Sequence, residues 1–199
     1  MTHQCAMSGA AGIPPRPRSR LRARLVLAVL SACGLAALAW ASFVQPLPRL
    51  IYNPSDSVPV GWYRVDPLHH RAGSPPRPLS VDSIVLASLP PDAAALAAQR
   101  GYLPAGVPLL KRVGAVAPQE VCIAGGIVRI DGVPLAAVLR ADRWGRPLPS
   151  WQHCRRLEPD ELFLLSVTNP ASFDGRYFGP VRASAVIGVA HPVWLDKRP

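Results

Sequence analysis

Twenty consecutive residues without a charge, Leu25–Val44 (LVLAVLSACGLAALAWASFV), constrain this chain more than any other feature. As a helix rising about 1.5 Å per residue, such a run spans about 30 Å of hydrocarbon. Arg16, Arg18, Arg20, Arg22 and Arg24 precede it, no acidic residue stands before Asp56, and only Arg49 comes closely after it. The positive-inside rule then makes residues 1–24 a cytoplasmic arm, basic, Pro-rich and disordered. Residues 25–44 become a single transmembrane helix in the inner membrane, and 45–199 a domain on the periplasmic side. The other reading is a secretory signal cleaved after Ala39 or Ala41. The run is longer than a usual signal core, which favours retention.

The stretch beyond the apolar run is long enough for one compact domain with its own core. The 24 prolines and 15 glycines of the chain argue for short strands and tight turns rather than a helical bundle. The pattern predicts a mainly β body, antiparallel, with strands in QPLPRLIYNPSDSVPVGWYRV, Ser83–Leu89 and ELFLLSVT. At least three more fall in residues 106–136, the last two divided by Asp131-Gly132, a hairpin signal. Pro91–Arg100 reads as a short helix stopped by Gly101, and SAVIGVAHPVWL as a final strand pair or bend. Residues 66–80 read as a polar loop. The net charge of +10 raises the question of a nucleic-acid partner. The arm carries half of that excess and the rest is dispersed, so nucleic acid is not expected.

Cys5 and Cys33 lie in the arm and the apolar run, whereas Cys122 and Cys154 share the body. In an oxidising compartment the latter two can close a disulfide; two free buried thiols are the alternative. Their spacing has no metal-site pattern. The five histidines, His3, His69, His70, His153 and His191, stand in no context resembling a Ser-His-Asp triad.

Three segments can carry chemistry. In Asn53-Pro54-Ser55-Asp56-Ser57-Val58-Pro59, prolines on both sides can hold one hydroxyl in a defined direction. A serine still needs a base to become a nucleophile, and a plain Pro-rich turn is the competing reading. Two serines at i and i+2 of an extended stretch share a face, so Ser55 can assist Ser57. The base candidate is Lys111 in VPLLKRV, one of two lysines against twenty arginines; the other, Lys197, lies in the polar tail. Strand alternation puts Lys111 with Leu109 and Val113, where poor solvation lowers an ammonium pKa and frees the amine to accept a proton. Arginine cannot do this. A lysine snorkelling at a strand edge is the competing reading. In the third segment, SFDGRYFGP, a Ser172 hydroxyl can aim a lysine amine, and Asp174 and Arg176 can pair and brace loops; a plain polar turn is the alternative.

Taken in order after an N-terminal anchor, these segments resemble the signal peptidase I family. S-x-S-x-P is similar to its nucleophile motif, LLKRV to its general-base motif and SFDGRYFGPV to its third conserved box. RGYLPAGVPLLKRV, EVCIAGGIVRIDG, DRWGRPLPSW and the pair Cys122/Cys154 resemble the TraF-type branch found in conjugative transfer, over roughly residues 47–195. Two positions depart from the pattern: Asp56, where a small residue is common, and Ala117-Pro118-Gln119-Glu120, where a Gly-Asp turn is common. The resemblance implies a signal-peptidase-like antiparallel body and a Ser57/Lys111 dyad. It gives Ser55 an oxyanion role, lets Ser172 orient the lysine, and makes Asp174 and Arg176 braces. An extended substrate would run beside Val58, Pro59 and Leu109. The implied partner is an exported precursor, a pilin subunit in particular, and no metal or organic cofactor is implied. A housekeeping signal peptidase and a silent membrane-anchored assembly factor are the rival expectations. An unpaired lysine in an apolar strand has no use in a scaffold.

Overall fold

The computed structural model describes residues 17–43, 50–68 and 79–196. The chain forms two units, Met1–Pro46 and Leu47–Pro199. In the first, helix α1 runs Pro17–Phe43. It starts on a proline, which suits a first helical position, ahead of the uncharged run. Residues 17–24, read from sequence as disordered arm, are therefore helical. Arginine and leucine are good helix formers, and a helix nucleated in the apolar run extends through them cheaply. Leu21–Trp40 is long and apolar enough to cross a membrane. Its side chains are exposed. Residues 1–16 and Val44 lie outside the described residues.

The second unit contains strands β1 (Leu50–Asn53), β2 (Gly61–Pro67) and β3 (Ile84–Ala87), then helix α2 (Pro91–Gln99). Next come β4 (Leu109–Val116), β5 (Glu120–Ala124), β6 (Ile127–Ile130), β7 (Val133–Ala137), β8 (Cys154–Arg156) and β9 (Glu161–Leu164). The one-turn helix α3 (Gly175–Phe178), β10 (Val181–Arg182) and β11 (Val186–Leu195) complete it. Seven strands form one sheet in the order β1-β2-β11-β3-β4-β9-β10, and four form a second, β7-β6-β5-β8. Every pairing is antiparallel, so the body is the mainly β architecture expected.

Local signals hold at the β6–β7 hairpin, where Asp131 and Gly132 both take positive φ (49° and 81°). The C-terminal segment differs from its sequence reading. It is neither a strand pair nor a bend but one strand, β11, seated between β2 and β3. Its register shifts between Pro192 and Trp194. Proline has no N–H for the ladder, and a bulge absorbs the defect without ending the strand. Residues 66 and 67, assigned to a loop, extend β2; His69 and His70 lie outside the described residues.

Strand β4 organises the interior. Lys111, Val113 and Ala115 are buried and the residues between them half-buried. A bulge at Gly114 lets Val113 pair with Leu164 and Ala115 with Phe163. The extra residue shifts the alternation, so Val113 packs with Val85, Leu162 and Leu164 while Ala115 packs with Val121, Phe163 and Leu165. A side chain at Gly114 would put its Cβ 2.8 Å from the Leu165 Cβ, which accounts for the glycine. A third cluster joins Val58, Tyr63, Val65, Leu86 and Ala190 beneath the β1–β2 connection.

In the four-stranded sheet Cys122 and Cys154 face each other across β5 and β8 and form a disulfide. The bridge closes a loop with a sequence separation of 32. Replacing both cysteines by serine should therefore cost about 3–4 kcal/mol of stability. Paired urea titrations of oxidised wild type and the double variant check this.

Candidate active site

The β1–β2 connection places Ser57. Residues 54–58 turn rather than run extended, so Ser55 and Ser57 do not share a strand face, contrary to the alternation argument. The buried Asn53 side chain shapes the turn. Its amide donates to the carbonyls of Ser55, Val58 and Pro59 (2.8, 3.1 and 3.1 Å). Its Oδ1 accepts from the Ser55 N–H and hydroxyl (3.2 and 2.9 Å). Ser57 is 6 % exposed. Behind it, the buried Ser166 hydroxyl donates to the Ser57 carbonyl at 2.8 Å.

Lys111 enters from β4, opposite Val85 of β3, and is 3 % exposed. The Ser172 hydroxyl stands between it and Ser57. Lys111 Nζ donates to Ser172 Oγ at 2.7 Å, and Ser57 Oγ donates to the same oxygen at 3.2 Å. Burial pulls the Lys111 pKa down to about 8; Asp174 opposes this and Arg176 adds to it. At pH 7 about one lysine in ten is then neutral, and near pH 9 about nine in ten. Any reaction that uses the neutral amine as base should gain about tenfold per pH unit below 8 and level off above it. A kcat/KM–pH profile reads this directly; a bend near 10.4 would mark an ordinary lysine.

Ser172 is positioned by a buried ion pair. Asp174 caps α3, its Oδ1 accepting from the Arg176 N–H and Nε (3.2 and 2.8 Å). Its Oδ2 accepts from the Ser166 N–H and Arg176 Nη2 (3.0 and 2.8 Å). Arg176 is fully buried, and the loop before α3 wraps its guanidinium. Nη1 donates to the carbonyls of Ala137 and Pro170, and Nη2 to those of Asn169 and Ser172. One guanidinium thus holds the backbone that carries both Ser166 and Ser172. At the end of α3, Gly179 has φ +78° and a Cβ there would lie 2.6 Å from the Trp151 ring, so only glycine fits.

These groups open onto a cleft of about 820 Å³. Leu86, Leu89, Leu103, Val107, Leu109 and Phe173 give it apolar walls, and Ser55, Ser57, Lys111 and Ser172 also line it. Among the described residues its lining includes no histidine, and no cluster of His, Cys, Asp and Glu could hold a metal ion.

The structure therefore brings Ser57, Lys111, Ser55, Ser172, Asp174 and Arg176 together. The three proposed substrate contacts divide. Leu109 lines the cleft. Val58 does not: it is 2 % exposed and belongs to the core with Tyr63 and Leu86. Pro59 is exposed but outside the cleft lining, its carbonyl accepting the Tyr63 hydroxyl at 2.6 Å. The turn at Ser57 points Val58 into the core, where the resemblance had set it beside the substrate. Ser166 was missed, and Asn53 stood in the first segment without a role; an asparagine just before a turn was the one available signal.

The site is a serine hydroxyl joined through a second serine to a buried lysine, on an antiparallel β body. The chain belongs to the signal peptidase family, peptidase S26, whose sequence profile matches residues 22–195. It is similar to a plasmid transfer protein TraF of Escherichia coli, 34 % identical over 185 residues, 87 % of this chain and 95 % of that one. A conjugal transfer protein TraF of Agrobacterium fabrum (strain C58) is 33 % identical over 180 residues, 86 % and 96 % of the two chains. A crystal structure of a signal peptidase I from Enterococcus faecalis V583 aligns with a TM-score of 0.35 and 20 % identity, covering 57 % of this chain and 97 % of that one.

Proposed function

We propose that this protein is a membrane-anchored serine endopeptidase that cleaves exported precursors, with a conjugative pilin subunit as its substrate. The reading rests above all on Lys111: a buried amine with a pKa lowered to about 8, reaching Ser57 through one hydroxyl. In this reading α1 stays in the inner membrane with its N-terminus in the cytoplasm, and residues 45–199 work on the periplasmic side.

Neutral Lys111 takes the Ser57 proton as Ser57 Oγ adds to the scissile carbonyl, with Ser172 keeping amine and hydroxyl in line. The Ser57 N–H and the Ser55 hydroxyl, swung away from Asn53, stabilise the oxyanion, an effect of about 3–4 kcal/mol per donor. The C–N bond then breaks, the amine leaves with a proton from Lys111, and an acyl ester remains on Ser57. Water, deprotonated by Lys111, adds to that ester, the bond to Ser57 Oγ breaks, and the proton passes from Lys111 back to Ser57. Family membership in peptidase S26 and the similarity to conjugal transfer proteins TraF support the reaction class and the precursor.

Co-expression with an exported propilin, read by mass spectrometry of the membrane fraction, tests the proposal. A shortened pilin formed only with the wild-type chain is expected. An unprocessed precursor alongside a folded wild-type chain would favour an assembly factor, and processing of unrelated exported proteins a housekeeping peptidase.

A further inference from the structure

The rim of the cleft carries a structure that the serine–lysine chemistry does not use. Residues 142–147 form a tight loop whose centre is Asp142. Its carboxylate accepts from the Tyr102 hydroxyl (2.5 Å), Arg146 Nε (2.6 Å) and the N–H groups of Trp144 and Arg146 (2.9 and 3.0 Å). The Tyr102 and Trp144 rings lie nearly parallel, with 6.5 Å between centroids. The Arg146 guanidinium lies 4.5 Å from the Trp144 ring and donates to the Arg100 carbonyl. Arg100 in turn donates to the Pro147 carbonyl at 2.7 Å. The segment after α2 and the segment after β7 are thereby locked to each other.

The charges on this loop are unequal. Asp142 and Arg146 neutralise one another in a close pair. Arg143 has no ion-pair partner among the described residues: its guanidinium sits 3.9 Å from the centre of the Trp144 ring, is exposed, and lines the same cleft as Ser57. Asp142 is the one carboxylate in that lining among the described residues, and its oxygens already accept four hydrogen bonds. A guanidinium on an aromatic face is oriented yet keeps its N–H edge open, the geometry in which arginine receives a carboxylate in a forked contact. The rest of the wall offers mainly apolar contacts.

We infer that Arg143, held on Trp144, is a specificity-determining residue that receives a carboxylate of the peptide bound in the cleft. The inference rests on the proposed peptidase reading and adds to it the chemical class of substrate preferred. Two sources offer that chemistry: an acidic side chain near the scissile bond, and the terminal carboxylate of a chain cut close to its end.

Calorimetric titration of the full chain in detergent, carrying Ser57→Ala so that nothing turns over, separates them. One set of probes is alanine nonapeptides blocked at both ends, with a single Glu or Gln moved through each position. The second is the all-alanine peptide ending in a free carboxylate or an amide. At one or more positions, or at the free terminus, the carboxylate should tighten binding at least about tenfold, as charge-assisted contacts do. Arg143→Gln should bring that ratio to unity. Arg143→Glu should bring it below unity and make a Lys-containing peptide the tighter ligand. Equal affinities in every arm, a ratio that survives Arg143→Gln, or no saturable binding of any peptide would overturn the inference. Failure of the serine–lysine chemistry appears instead as uncleaved precursor and leaves this measurement intact.

Discussion

Ser57→Ala and Lys111→Met should each lower the rate of precursor cleavage by at least about a thousandfold. The two losses should not add, because nucleophile and base act as one unit: the double variant should be no worse than either single one. Lys111→Arg should be equally inactive. It keeps the charge and most of the volume, but a guanidinium never gives up its proton near neutral pH. Processing at the normal rate by any of the three variants would end the dyad proposal. Lys111→Met also separates chemistry from folding. The Lys111 pKa lies below that of the unfolded chain, so between about 8 and 10.5 the unfolded chain holds the extra proton and stability rises with pH. Below that window the buried ammonium opposes folding, by on the order of 3 kcal/mol, a cost that methionine removes. The inactive variant should therefore melt no lower than wild type at pH 7.

The second large effect is on stability. Arg176→Ala or Asp174→Ala should each cost about 3–5 kcal/mol, since each leaves a buried charge without its counter-ion. For a domain of this size that lowers Tm by on the order of 10 °C. Both side chains are wholly inaccessible, so solvent cannot step in. The Asp174→Ala chain should lose more than the ion pair: the Ser166 N–H and the cap of α3 also lose their acceptor. Differential scanning calorimetry of both single variants and the double one measures the coupling. A double variant close to either single one is expected, because the pair fails together. Cleavage by these variants at a temperature where they remain folded should still be slowed, since Ser172 hangs from the loop that Arg176 holds.

The sequence alone determined the elements whose causes are local. Twenty uncharged residues between five arginines and a polar segment specify an apolar helix wherever they are placed. Asp131-Gly132 specifies its hairpin, because the two residues themselves tolerate positive φ. One lysine inside an apolar strand was enough to mark Lys111, for burial of an ammonium needs no knowledge of its partners. The motifs also placed Ser57, Ser172, Asp174 and Arg176 in one site, by resemblance rather than by geometry.

The tertiary structure decided whatever depends on how distant segments meet. That Ser172 stands between Ser57 and Lys111 comes from contacts across sequence separations of 115 and 61. No local hydrophobic period reaches across such a separation. Ser166 behind Ser57 and Asn53 inside its turn became legible only when their partners were seen. Val58 was a substrate contact by resemblance and proved to be core, because the turn sends Ser57 and its neighbour Val58 to different sides. The Gly114 bulge does the same within β4. The uncompensated charge of Arg143 is likewise a tertiary fact: it exists because Asp142 is committed to Tyr102 and Arg146. Local chemistry marked the candidate residues, and long-range packing set their distances, solvation and partners.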